Sequence, residues 1–270
     1  MADFKNRIKE YCFSSPITSA IAAALFAVAA FSLPNALGFG ETVRFVLNIV
    51  LRVAVAIIAF FAAKACGFIF FGTNGRTGFC DIVLLVLGFL VCVNNFPIIG
   101  FISGNVVLTE NARVVRYIFY CVAVGVAEES VFRGFITPLV GVKFVGKRYA
   151  PFLTVFVSSV IFALCHVFNV FSAGVGATAL QVGYTFLTGG LFGAVFLMTK
   201  SVIIPALFHV IFDVGGLMFS QPFGIAAGNM WDEKTIIITA AIGVIATAAY
   251  SVKLLKMREI NTNGKDDNQN

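Results

Sequence analysis

Apolar stretches of about 20 residues recur along the whole chain and leave little polar sequence between them. Each stretch is long enough to cross roughly 30 Å of hydrocarbon as a helix. Charged residues make up only 12% of the chain, against about 25% in a soluble domain. Because backbone polar groups in lipid must be satisfied within the chain, these stretches are predicted to be helices. The predicted fold class is all-α, a polytopic membrane protein with a polar intramembrane cavity.

Eight transmembrane spans are predicted from the apolar pattern. They cover residues 16–33, 43–63, 80–101, 116–138, 150–171, 177–199, 202–220 and 235–252. We predict one transmembrane domain over residues 1–255, with a motif-bearing core at 115–220, and a polar, disordered tail at 256–270. The first span has a basic start and an Ala-Val-Ala-Ala stretch like that of a signal peptide, but we interpret it as an uncleaved helix.

The placement of lysine and arginine predicts the orientation. Thirteen of the 19 basic residues fall on one side of an eight-span bundle and four fall on the other. The positive-inside rule then predicts that both termini are cytoplasmic. The net charge of +6 lies mostly in short loops, so it indicates membrane topology and not a nucleic-acid partner. The six cysteines contain no CxxC pair and are expected to be buried free thiols.

A few ionisable residues lie deep inside the predicted spans, where each costs about 2.5–3.5 kcal/mol on insertion scales. They comprise three of the 13 acidic residues, both histidines of the chain and one arginine. These candidate site residues are Glu128, Glu129, Arg133, His166, His209 and Asp213. Four other polar residues in or near spans are expected only to make packing bonds or to lie at span ends; they are Arg52, Asn94, Asn95 and Gln181.

The spacing of the candidate residues predicts a shared cavity. Glu129 and Arg133 are four residues apart, so they share a helix face and can form an ion pair. Glu128 points about 100° away and is left for another task. His209 and Asp213 are also four apart, so the carboxylate can hydrogen-bond the imidazole or share its site. Lipid offers these polar groups no partners, so the three helices are expected to turn them towards one cavity.

This set of residues favours hydrolysis by activated water. A carboxylate beside a histidine can take a proton from water and return it to a leaving amine. A second histidine can stabilise an oxyanion. Alternatively, Glu128, His166 and His209 are a possible ligand set for a divalent metal such as zinc. No covalent nucleophile is evident, because GxSxG and HExxH motifs are absent, and Cys165 adjoins His166 without facing it on a helix.

Three motifs resemble those of the CPBP family, the CAAX-processing and bacteriocin-processing membrane proteases. The family pattern is EExxxR, FxxxH and HxxxN or HxxxD on separate transmembrane helices. This chain has Glu128-Glu129-xxx-Arg133, Phe162-xxx-His166 and His209-xxx-Asp213, in that order. Residues 1–115 add apolar helices but no signature.

The resemblance implies an eight-helix fold and peptide-bond hydrolysis in or near the membrane. It implies that Glu128 activates water with the help of His166. His209 and Asp213 would stabilise the oxyanion or orient the carbonyl, and Glu129 and Arg133 would brace the site. The implied partners are the lipid bilayer and a peptide or membrane-protein substrate, prenylated in some members. The short loops suggest a bacterial plasma membrane.

Two other functions remain open at this point. Buried acids and histidines also build the proton relays of transporters, although the chain lacks the paired broken helices and repeats of that class. A non-catalytic immunity or scaffold protein could keep the same helices. Asp213 also stands where eukaryotic members of the family carry Asn, and an ionised Asp cannot donate a hydrogen bond as Asn can.

Overall fold

The computed structural model describes residues 2–72, 78–109, 113–220, 223–228 and 233–257. Its helices and strands are α1 (Ala2–Ser14), α2 (Pro16–Ala36), α3 (Glu41–Cys66), α4 (Phe79–Asn94), α5 (Ile98–Ile102), β1 (Val106–Leu108), α6 (Val114–Val131), α7 (Thr137–Phe144), α8 (Ala150–Cys165), α9 (Val170–Ala173), α10 (Val175–Thr199), α11 (Ile203–Gly216), β2 (Ala226–Gly228) and α12 (Glu233–Lys256). Most of the predicted tail at 256–270 lies outside the described residues.

The described residues contain five helices that are long and apolar enough to cross a membrane. These are Pro16–Ala36, Glu41–Cys66, Ala150–Ala173, Val175–Thr199 and Ile237–Lys256. Their outer faces expose large apolar side chains, among them Phe61 on α3 and Val244 on α12, as expected of surfaces that contact lipid. The all-α membrane fold is therefore confirmed, whereas the count of eight spans stays a prediction.

Charged residues explain why the motif-bearing helix is absent from those five. The chain is helical from Val114 to Phe144, since α6 continues through a π-helical turn at Phe132–Ile136 into α7. Within α6, Arg116, Glu128 and Glu129 lower the apolar character of the helix. The predicted spans at 16–33, 43–63, 177–199 and 235–252 agree closely with α2, α3, α10 and α12.

One predicted span is wrong as a single α-helix, and a second changes its helix type along its length. The span at 80–101 is divided, because α4 ends at Asn94 and Pro97 precedes α5. Proline lacks an N–H and disfavours a helical residue before it. The span at 150–171 is divided where α8 ends at Cys165 and a 3₁₀ turn begins at His166. Both breaks lie beside the cavity described below.

Contacts between helix ends show that α4 and α12 run in opposite directions. At one end of the bundle the start of α4 meets the end of α12, where Asp81 forms an ion pair with Lys253. At the other end α4 finishes beside the start of α12, where Asn94 Nδ2 donates to Thr239 Oγ1 over 2.8 Å. We call the first the terminal end, because α2 begins and α12 finishes there.

The six cysteines are all free. Four of them are buried, as predicted, whereas Cys80 is exposed and Cys165 is half-buried. At the end opposite the terminal end, β1 and β2 pair antiparallel, with Val106 opposite Gly228. This short ribbon closes the loops that follow α5 and α11.

Gly125 lets α6 approach α11 closely. A Cβ atom added at Gly125 would lie 2.8 Å from Val210 Cγ2 and 3.0 Å from the Val210 backbone nitrogen. Small residues commonly allow such close approach between transmembrane helices. Gly125 is one turn before Glu128 and Glu129, and Val210 follows His209, so this contact sets the spacing of the site.

We expect Gly125→Ala to destabilise the protein by about 1–3 kcal/mol, because overpacking at a tight helix contact forces the helices apart. The measurement is the midpoint of thermal unfolding in detergent. Gly183→Ala in α10 is the matched control, since nothing lies within 4 Å of a Cβ atom added there. Equal midpoints for the two variants would contradict the role assigned to Gly125.

Candidate active site

Four of the six candidate residues line one cavity of about 1230 Å³ between the helices. They are Glu128 from α6, His166 from the 3₁₀ turn after α8, and His209 and Asp213 from α11. Glu129 and Arg133 lie behind the cavity wall and are 0% and 2% exposed. The structure thus brings together the three helices that the motif spacing predicted to share a cavity.

Glu129 connects the two helices on which the site depends. Its Oε1 accepts a hydrogen bond from Arg133 Nη1 over 2.7 Å, which is the predicted ion pair within one helix. The same oxygen lies 2.7 Å from Nδ1 of His209. Arg133 also donates from Nη2 to the carbonyl oxygen of Gly189 in α10 over 3.0 Å. A carboxylate between an arginine and an imidazole fixes the position of both, and it leaves Nε2 of His209 to face the cavity.

Nε2 of His209 lies between two further carboxyl groups. It is 3.7 Å from Glu128 Oε2 and 3.6 Å from Asp213 Oδ1. A lone pair on Nε2 facing two ionised carboxylates would place three acceptors together. A proton must therefore lie on Nε2 or on one of the two carboxyl groups. Asp213 was expected to hydrogen-bond the imidazole or to share its site; it lies beside the ring at 3.6 Å, whereas Glu129 makes the short contact.

The contacts of Phe162 explain why the FxxxH motif has a phenylalanine at this position. Its carbonyl oxygen lies 3.0 Å from Nδ1 of His166, so this nitrogen carries the proton and Nε2 is left for the cavity. Its ring covers the guanidinium of Arg133, with the Cζ atom 4.8 Å from the ring centroid. Phe192 of α10 covers the same guanidinium at 5.6 Å. The two rings cover the buried guanidinium and supply cation–π attraction.

The backbone beside Asp213 is held by polar side chains from two other helices. The Tyr117 hydroxyl lies 3.0 Å from the carbonyl oxygen of Asp213 and donates to that of Val214 over 2.7 Å. Asn95 donates from Nδ2 to the carbonyl oxygen of Phe212 over 2.7 Å. These carbonyls belong to the last turn of α11, where the Asp213 carbonyl oxygen also accepts from the backbone N–H of Leu217.

Of the four polar residues expected only to pack, three do so. Asn94 and Asn95 make the bonds described above, and Gln181 Oε1 accepts from Asn169 Nδ2 over 2.8 Å. All four line the cavity, and Arg52 differs because it is a charged residue in the middle of α3. The sequence signal for the cavity position of Arg52 was a basic residue in the middle of a predicted span.

The predicted metal ligands do not form a ligand cluster. Among the described residues, no three His, Cys, Asp or Glu side chains are grouped so that they could hold a metal ion. Nδ1 of His209 is held by Glu129 and Nδ1 of His166 by a carbonyl oxygen. The arrangement of Glu128, His166 and His209 therefore does not fit the predicted metal.

Fold and cavity define an integral membrane protein with acid and base groups gathered between its helices. Residues 110–215 match the family described as type II CAAX prenyl endopeptidase, Rce1-like. That segment contains all six candidate residues, and it confirms the CPBP resemblance drawn from the three motifs. The match covers 106 of the 270 residues and supports a membrane protease of the CAAX endopeptidase type. The comparisons with curated proteins and with solved structures give no match.

Proposed function

We propose that the protein hydrolyses peptide bonds within the membrane by means of water that Glu128 activates. The observation that carries this proposal is the grouping of Glu128, His209 and Asp213 around one point of the cavity, with Glu129 holding His209 from behind. The side chain of Glu128 is 16% exposed and makes no closer ion pair among the described residues. Of the two adjacent glutamates, Glu128 is therefore the one whose carboxylate is free to contact water.

The proposed reaction begins with water beside Glu128 and the scissile carbonyl beside His209. Glu128 takes a proton from the water while the water oxygen attacks the carbonyl carbon. A proton on Nε2 lets His209 donate a hydrogen bond to the oxyanion that forms. Glu128 then gives the proton to the leaving nitrogen, and the C–N bond breaks. The products are a new carboxyl terminus and a free amine.

His166 and Asp213 have supporting roles in this proposal. His166 presents Nε2 to the cavity and can hold the attacking water from the side opposite His209. Asp213 lies one turn beyond His209 and flanks Nε2, so a carboxyl proton on Asp213 would provide a second donor for the oxyanion. Glu129 and Arg133 act through His209 and do not touch the substrate.

Asp213→Asn tests whether this residue serves as a hydrogen-bond donor. We expect the variant to keep kcat within about tenfold of the wild type, because an amide donates a hydrogen bond without a carboxyl proton. We expect Asp213→Leu to lose most of the activity, since it supplies no donor. The measurement is kcat for both variants on the same peptide. Loss of activity in Asp213→Asn would show that the negative charge is required.

The family implies a peptide or protein substrate in the membrane, and we propose that it is prenylated. We further propose that the protein lies in a bacterial plasma membrane with both termini in the cytoplasm. Lysines beside the terminal end support that orientation, including Lys64 at the end of α3 and Lys253 and Lys256 at the end of α12.

The proposal is tested with the purified full chain in detergent. A quenched prenylated peptide and a panel of membrane peptides are incubated with the wild type and with His209→Ala, each with and without a chelator. Cleavage by the wild type that His209→Ala loses supports the proposal, and the chelator samples test the divalent metal suggested by the sequence. Equal cleavage by both proteins would assign the activity to another site or to a contaminant.

A further inference from the structure

Two thiols from different helices contact each other at the terminal end of the bundle. Cys12 lies in the last turn of α1, and Cys66 is the last residue of α3. Their side chains are hydrogen-bonded to each other, and neither is in a disulfide. Cys12 is 8% exposed and Cys66 is 0% exposed. The pair is therefore enclosed in the core that joins α1 to α3.

Aromatic packing beside the two cysteines holds them in this position. Phe13 stacks on Phe68, with the ring centroids 5.8 Å apart and the ring planes inclined by 16°. The ammonium group of Lys9 lies 5.4 Å from the centroid of Phe13 on the ring face. Because Phe13 adjoins Cys12 and Phe68 is two residues after Cys66, the ring contact fixes the end of α1 against the end of α3.

The same aromatic contacts reach the motif-bearing helix. Phe68 also packs on Phe135, with the ring centroids 6.2 Å apart. Phe135 lies in the π-helical turn that follows α6, two residues after Arg133. Both cysteines and both phenylalanines, Phe68 and Phe135, belong to one buried apolar cluster. A bond between the two thiols would therefore strengthen the part of the core that lies behind the buried ion pair.

We infer that Cys12 and Cys66 form a redox site, a dithiol that a small disulfide oxidises to a cross-link between α1 and α3. Two thiols in hydrogen-bonding contact need only small side-chain rotations to reach the S–S bond length of about 2.05 Å. This inference does not depend on the proposed peptidase activity, because neither thiol lines the cavity.

The oxidation is a thiol–disulfide exchange in two steps. Cys12, the more exposed of the two, loses its proton and attacks one sulfur of the small disulfide. A mixed disulfide forms and the first small thiol leaves with that proton. Cys66 then attacks the Cys12 sulfur and displaces the second small thiol, which takes the proton of Cys66. The two cysteines lose two electrons, and the small disulfide is reduced to two thiols.

The environment of the pair sets when it reacts. With the termini in the cytoplasm, thiol reductants keep the dithiol reduced at rest, and it is oxidised when small disulfides accumulate. Burial raises the pKa of the Cys12 thiol above its ordinary value, so little of the reactive thiolate is present at neutral pH. The exposed Cys80 should therefore react first with the same oxidant, and the cross-link should follow over minutes to hours.

Oxidation of the purified full chain tests the redox site. The protein in detergent is incubated with oxidised glutathione, digested without reduction and analysed by mass spectrometry. We expect a peptide pair joined through Cys12 and Cys66 that has lost two hydrogens. A cross-link that closes so long a loop restricts the unfolded chain, so the midpoint of thermal unfolding should rise by roughly 5–10 °C. Dithiothreitol should reverse both changes.

Matched serine variants assign the effect to this pair. Cys12→Ser and Cys66→Ser should lose both the cross-link and the rise of the midpoint. Their midpoints under reducing conditions show whether they fold like the wild type. Cys80→Ser removes an exposed thiol and should keep both the cross-link and the rise.

Three results would overturn the inference. The first is a folded wild type that carries glutathione on Cys80 but has no link between Cys12 and Cys66. The second is a link that leaves the unfolding midpoint unchanged. The third is an equal rise of the midpoint in Cys12→Ser, which would assign the effect to glutathione on another thiol.

Discussion

Glu128→Gln should lower kcat for peptide cleavage by roughly 10²- to 10⁴-fold, the range for loss of a general acid–base group. The amide keeps the shape of the side chain and its place in the cavity but cannot accept the proton of water. The carboxylate makes no short ion pair in the described structure, its nearest charged neighbour being His209 at 3.7 Å. The thermal unfolding midpoint should therefore change little while the activity is lost.

Glu41→Gln is the matched control for that variant. Glu41 is the first residue of α3, and its carboxylate lies 3.9 Å from Arg113 with both side chains 42% exposed. Such an exposed pair contributes little to stability, and Glu41 does not line the cavity. We expect wild-type kcat from this variant. If Glu128→Gln also keeps wild-type kcat, Glu128 is not the general base.

Glu129→Leu should lower the free energy of unfolding by about 3–5 kcal/mol, because it leaves the charge of Arg133 buried without its partner. The guanidinium would keep its bond to the Gly189 carbonyl oxygen and the cover of Phe162 and Phe192. Neither supplies a negative charge. The measurement is unfolding by denaturant in mixed micelles, compared with the wild type under the same conditions.

The double variant Glu129→Leu with Arg133→Met separates stability from catalysis. Replacing both members of a buried ion pair by apolar residues of similar volume is often neutral, so most of the lost stability should return. Activity should stay low, because Nδ1 of His209 still lacks its acceptor. Recovery of both stability and activity would mean that the pair is only structural and that Glu129 does not position His209.

Contacts within one helix could be predicted from the sequence, whereas contacts between helices could not. The spacing of Glu129 and Arg133 gave their ion pair because helical geometry brings residues four apart together. The same rule placed Asp213 beside His209, where it lies at 3.6 Å. It could not give the rotation of α6 against α11, on which the bond from His209 to Glu129 depends. That rotation is set by packing at Gly125 and Val210.

The interruptions of the helices were also beyond the apolar pattern. Hydropathy continues across Pro97 and across His166, so both regions were predicted as uninterrupted spans. The polar bonds of Asn95 and the carbonyl contact of His166 decide where the α-helices stop. Arg52 was expected only to pack for a related reason, since a sequence shows that a charge lies in a span but not whether it faces a cavity.

The cavity belongs to only one half of the bundle. Its lining comes from the second half of α2, α4, α8 and α11, from the first half of α3 and α10, and from the middle of α6 and α12. The α4 residues of the lining lie where α4 finishes beside Thr239 of α12, at the end of the bundle remote from the ion pair of Asp81 with Lys253. This part of the cavity and the finish of α12 therefore lie towards opposite ends of the bundle. With cytoplasmic termini, the enzyme would open to the outside of the cell, and its substrates would have to be exported or be presented from the outer leaflet.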